Sequence, residues 1–123
     1  MSDQFEILSA GASSDAIGLV SQLGLEELDG ELGRPRVVAA MIASADGRAA
    51  VEGRAGGLGG PADRAVLREL RCSVDAILIG PTTLVDERYS TLLDSDHRSR
   101  RIAAGLSAEP IAATISRRLN PQL

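Results

Sequence analysis

"DAILIGPTTLVDERY", residues 75–89, decides how the chain is read. An apolar run of strand length stops at Gly80 and Pro81 and gives way to Thr82, Thr83 and a short helical pattern with acids. A continuous apolar strand is expected where both faces of a parallel sheet are covered. The threonines suit the start of a helix, where backbone N–H groups lack intrahelical partners. Such a turn is either simply capped by a threonine or offers donors to an anion. Taken alone, the capped turn is the stronger reading.

Upstream, "PADRAVLRELRCSV" (61–74) predicts a helix, with Pro61 at its first position, Asp63 in its first turn and Val66, Leu67, Leu70 and Val74 on one face. Further upstream, "RVVAAMIAS" (36–44) predicts another doubly covered strand. "ADGRAAVEGRAGGLGGP" (45–61) reads as a glycine-dense loop with a weak strand around 49–51. Thr82 to about Arg88 reads as a short helix. "DSDHRSRRIAAGLSAE" is polar and without a sustained period, and "PIAATIS" (110–116) predicts a third strand. Strand, helix, strand, helix, strand implies parallel crossovers and an open, mostly parallel α/β sheet with flanking helices.

Residues 1–33 form an N-terminal extension. Ser13, Ser14 and Asp15 can cap a helix over about 16–28, with Ile17, Val20, Leu23 and Leu28 on one face. Residues 34–123 form the main domain. Three doubly apolar strands with few helices to cover them imply a part of a larger unit or a pairing with another copy.

The 123 residues fit one domain, and 44% hydrophobic with 24% charged residues is a globular balance. A net charge of -4 with one Phe, one Tyr and no Trp argues against nucleic acid as a partner. The local basic run His97 to Arg101 is the exception. Cys72, the one cysteine, reads as a buried inert thiol, and His97, the one histidine, as part of a solvated loop; no metal site is expected. There is no signal-peptide pattern and no apolar stretch of membrane-spanning length, which reads as cytoplasmic with no membrane partner.

Ligands of open α/β sheets bind beyond the carboxyl ends of the strands. There the sequence places Ser44, Asp46, Gly47 and Arg48; then Gly80, Pro81, Thr82 and Thr83; then Ser116, Arg117 and Arg118. Hydroxyls and a guanidinium fork suit a phosphate, although each is ordinary surface chemistry by itself. A chance G-x-G-x-x-A at Gly57, Gly59 and Ala62 does not directly follow a strand, so it is no dinucleotide fingerprint.

Taken together and in order, "AMIASADGRAA", "GLGGPADRAVLRELRCSVDAILIGPTTLVDERY" and "PIAATISRRL" resemble the first half of the pyrimidine reductase domain of bacterial riboflavin biosynthesis, of actinobacterial type, within the dihydrofolate-reductase-like superfamily. The resemblance spans roughly 35–120 and is most specific at residues 44–48 and at Asp75, Ala76, Gly80 and Thr83. It implies the N-terminal half of a dihydrofolate-reductase-like reductase. Such an enzyme uses NADPH to reduce 5-amino-6-(5-phosphoribosylamino)uracil to its ribitylamino product. It also implies that Gly80, Thr82 and Thr83 touch the cofactor diphosphate and ribose, and that Ser116 and Arg117 lie at the adenosine 2′-phosphate. Asp46 would be the orienting catalytic group, with Ser44, Arg48 and Glu87 on the substrate. The chain departs from the family at Gly57-Leu58-Gly59, where many members carry Trp and Thr. The competing expectations are a non-catalytic nucleotide-binding or assembly half-domain, and a dihydrofolate reductase with Asp63 as its acid. The implied partners are the pyrimidine ribosyl phosphate and either a second copy of the chain or a C-terminal half of the domain.

Overall fold

The computed structural model describes residues 5–7, 12–25, 35–53, 57–87 and 91–117. The chain divides into two compact units, Met1–Leu67 and Arg68–Leu123.

In the first unit, β1 (Phe5–Ile7) pairs antiparallel with β2 (Ala12–Ser14), a ladder the sequence did not lead us to expect. The helix α1 (Ala16–Ser21) follows. Asp15 caps it by accepting the Gly18 N–H at 2.8 Å. The helix is shorter than its sequence suggests, because the chain turns at Leu23 and Gly24. Only Val20 of the expected apolar face is buried; Ile17 and Leu23 are exposed, and Leu28 lies outside the described residues.

The strand expected over 36–44 does not form. Residues 35–44 carry no regular structure, and Val37 and Met41 are 80% and 87% exposed. Strand conformation persists where N–H and C=O groups enter a ladder, and within this unit β1 and β2 pair with each other. The weak strand expected at 49–51 is reduced to a single bridge residue, Val51.

The helix α2 (Pro61–Cys72) runs across the division between the units, starting as expected with Pro61 and with Asp63 in its first turn. In the second unit β3 (Ala76–Leu78), α3 (Pro81–Glu87), α4 (Ser95–Ala103) and β4 (Ile111–Ala113) follow. β3 and β4 pair in parallel, with Ala76 opposite Ile111 and Leu78 opposite Ala113. The ladder is extended at both ends: the Ile111 N–H donates to the Asp75 carbonyl at 2.9 Å, and the Ile79 N–H to the Ala113 carbonyl at 2.8 Å. The expected strand–helix–strand crossover is therefore present, and the fold class is a small α/β arrangement with a parallel sheet.

The helix α4 forms in a stretch whose sequence reads as polar and without a sustained period, which corrects that expectation. Asp94 caps it by accepting the His97 N–H at 3.1 Å. It ends in a Schellman closure. The Gly105 N–H donates to Ile102, the Leu106 N–H donates to Arg101, and Gly105 takes φ +79°. Its inward face is charged rather than apolar, which is why no hydrophobic period announced it. Arg101 is 1% exposed. Cys72, Ile79 and Leu93 are the buried hydrophobic residues among those described in this unit.

Candidate functional site

Because β3 and β4 are parallel, the segments leaving their carboxyl ends emerge along one edge of the pair. From β3 the chain passes through buried Ile79 to Gly80, whose carbonyl accepts the Leu84 N–H at 2.9 Å and so opens α3. From β4 it passes through Ile115 to Ser116 and Arg117. Pro81, Ile115, Ser116 and Arg117 line an open cleft of about 650 Å³ at this edge. The sequence placed Pro81, Ser116 and Arg117 at the strand ends but missed the apolar wall Ile115. Ile115 directly precedes Ser116, and that adjacency is the signal that could have found it.

Thr82 and Thr83 lie exposed in the first turn of α3 and are not buried under other segments. A Cβ placed on Gly80 would meet the Thr83 hydroxyl at 3.8 Å, an ordinary contact. The fold itself therefore has no steric need for glycine there. Glu87 is the last residue of α3, and the role implied for its side chain falls outside the described residues.

The second group, in the first unit, is a tight turn over residues 44–48. The Ser44 N–H donates to the Arg48 carbonyl at 2.9 Å, and the Gly47 N–H donates to the Ser44 carbonyl at 2.8 Å. Gly47 sits at φ +81°, a conformation that a β-carbon disfavours. The Ser44 hydroxyl accepts the Arg48 N–H at 3.0 Å and donates to the Asp46 carboxylate. Arg48 Nε is 3.1 Å from the other carboxylate oxygen. The Ser44 hydroxyl foremost, with Arg48 contributing, holds the Asp46 carboxyl below its usual range. The turn thus brings all three chosen residues together around an ionised, outward-facing carboxylate.

Asp63, the acid that a dihydrofolate reductase would need, instead folds back beside Gly59, where its carboxylate occupies the space a Cβ would take. That departure of the chain, Gly57-Leu58-Gly59, is thereby tied to the start of α2.

The basic run His97 to Arg101 turns inward rather than forming a binding patch. Glu69 of α2 accepts from Arg100 through both carboxylate oxygens and faces His97 Nε2 at 2.9 Å. His97 Nδ1 faces Asp94 at 2.6 Å. The Glu69 hydrogen bond raises the pKa of Arg100 above its ordinary value, and the His97 hydrogen bond lowers that of Asp94. Cys72 donates to the His97 carbonyl at 3.6 Å and accepts from Arg100 at 3.4 Å, so the thiol is buried, as read, inside a polar network. Among the described residues, no group of three His, Cys, Asp or Glu side chains could hold a metal ion. Nor is any helix there long and apolar enough to cross a membrane.

Comparisons with known proteins place the chain in a family. The chain matches the model of the RibD C-terminal domain over residues 35–122. No curated protein matches it significantly. Among solved structures it is similar to a pyrimidine reductase-like protein from Corynebacterium diphtheriae, at 30% identity and a TM-score of 0.57. That similarity covers 62% of this chain and 31% of the other, so the chain spans about a third of its relative's length. With the family model covering well over half of its residues, the chain belongs to the RibD C-terminal domain family.

Proposed function

We propose that the chain is the N-terminal part of a pyrimidine reductase of riboflavin biosynthesis, which reduces 5-amino-6-(5-phosphoribosylamino)uracil to the ribitylamino product with NADPH in the cytoplasm. The observation that carries this reading is the edge of the β3–β4 pair. There an open cleft places Ser116 and Arg117 beside the start of α3, in a chain of the RibD C-terminal domain family.

The residues present fit the cofactor. Ser116 and the Arg117 guanidinium offer the hydroxyl and fork that suit a phosphate monoester, and Pro81 and Ile115 offer apolar walls for a ring system. Gly80, Thr82 and Thr83 would meet the diphosphate and ribose. NADPH would supply the hydride, and the protein its orientation. In the Ser44 turn, Asp46 is held ionised by Ser44 and Arg48. It therefore serves as an orienting hydrogen-bond acceptor rather than a proton donor at neutral pH. In that turn Ser44 and Arg48 would bind the substrate's sugar phosphate, and the family resemblance assigns Glu87 to the substrate as well.

Association of copies belongs to the same reading. Leu78, Ile111 and Ile115 on or beside the parallel pair are 67%, 66% and 78% exposed, although parallel strands are ordinarily covered on both faces. The second reading, a nucleotide-binding half-domain without turnover, is favoured by the exposure of Asp46 and Arg48. One experiment separates them: NADPH binding by fluorescence titration, and NADPH oxidation with the pyrimidine substrate by absorbance. Binding with turnover supports the reductase, and binding alone the half-domain. Absence of both overturns the assignment.

A further inference from the structure

Arg101 is the one charged side chain among the described residues that is fully buried, and it faces no carboxylate. Its partners are backbone carbonyls from two separate segments. Nη1 donates to Arg71 at 3.2 Å, Cys72 at 2.9 Å and Val74 at 2.7 Å, which closes the carboxyl end of α2 and the approach to β3. Nε donates to Ser107 at 2.8 Å, in the segment that leads from α4 into β4. Nη2 has no hydrogen-bond partner among the described residues, so the two contacts are made by Nε and Nη1 alone. The charge is tolerated because carbonyls at a helix carboxyl terminus carry the negative end of the helix dipole.

We infer that Arg101 is a positioning residue for the nucleotide cleft. By gripping the chain just before β3 and before β4, one rigid guanidinium sets the register that puts Ala76 opposite Ile111. The opposite ends of the same two strands carry Pro81 on one side and Ser116 and Arg117 on the other. A slip of one residue would displace these walls by about 3.3 Å and turn each side chain to the other face. This inference rests on the proposed cofactor cleft for its functional half, while its structural half stands on the ladder alone.

The test uses the 123-residue chain with Arg101→Met and Arg101→Lys. Lysine keeps the charge but not the fork spanning both segments. Hydrogen exchange is read at the Ile79 and Ile111 amides, which close the ladder, and at the Arg98 amide, which closes the first turn of α4. The expected result is at least tenfold faster exchange at Ile79 and Ile111 in both variants, with Arg98 within twofold of wild type. Affinities for NADPH and NADH are measured in parallel. Their ratio is unaffected by the folded fraction and is expected to fall at least fivefold. Equal loss of protection at all three amides, global unfolding of both variants, or unchanged strand exchange would each overturn the positioning role. Failure of the wild-type chain to bind NADPH would instead remove the cleft assignment, leaving the exchange result to decide the register role.

Discussion

Glu69 and His97, on different helices of the second unit, meet at 2.9 Å between Oε1 and Nε2, and the same carboxylate takes the Arg100 guanidinium. A buried carboxylate shared by two cationic or hydrogen-bonding groups ties α2 to α4 more specifically than apolar contact would. Removing it strands both partners. Glu69→Ala is expected to cost about 2 kcal/mol, towards the lower end for hydrogen bonds to charged groups because Arg100 is partly exposed. Urea unfolding of the variant checks this. Wild-type stability would mean that desolvation cancels the network.

Acid should loosen the same helix pair in part through Asp94. His97 lowers the folded-state pKa of Asp94, while the unfolded value lies near about 3.9. Its contribution is therefore fully present above about pH 4 and is lost as pH falls through the depressed folded value. Asp94→Asn, which can still cap α4, should show a shallower decline in stability over that acidic window. Circular dichroism of both chains between about pH 5 and pH 2 tests this, and parallel curves would refute the Asp94 contribution.

Gly105 closes α4 at φ +79°, and a β-carbon added there would meet nothing within 4 Å, so strain rather than crowding governs its substitution. Gly105→Ala is expected to cost about 1 kcal/mol, read as a lowered unfolding midpoint. Loss of more than about 3 kcal/mol would indicate that the closure also holds the Arg101 grip in place.

Gly80 offers the opposite case. A methyl there makes only an ordinary contact with Thr83, so Gly80→Ala should leave stability within about 0.5 kcal/mol. It should weaken NADPH if the cofactor backbone passes close to the turn. Stability and cofactor affinity falling together would place the role of Gly80 in the fold alone.

Arg117→Ala is expected to weaken NADPH about tenfold, equivalent to about 1.4 kcal/mol, and to leave NADH nearly unchanged. Calorimetric titration with both nucleotides decides it. Equal weakening would remove the 2′-phosphate role assigned to the guanidinium.

The legible parts of this chain are those with a local code. Pro61 and Asp63 mark the start of α2, Gly80 and Pro81 mark the passage from β3 to α3, and Ser44, Asp46 and Arg48 gather within one five-residue turn. Each depends on neighbours a few positions away, so sequence alone located it. The run over 36–44 has the composition of a strand, but a strand is a relation between distant segments, and in the first unit β1 takes β2 instead. The helix α4 carried readable end signals in Asp94 and Gly105, yet its interior looked like a solvated loop. Whether an arginine is hydrated or buried depends on the carbonyls that surround it, and those that receive Arg101 come from Arg71, Cys72, Val74 and Ser107. Hydropathy cannot register that compensation, because the partners that make burial favourable are assembled only when α2, α4 and the approaches to β3 and β4 come together.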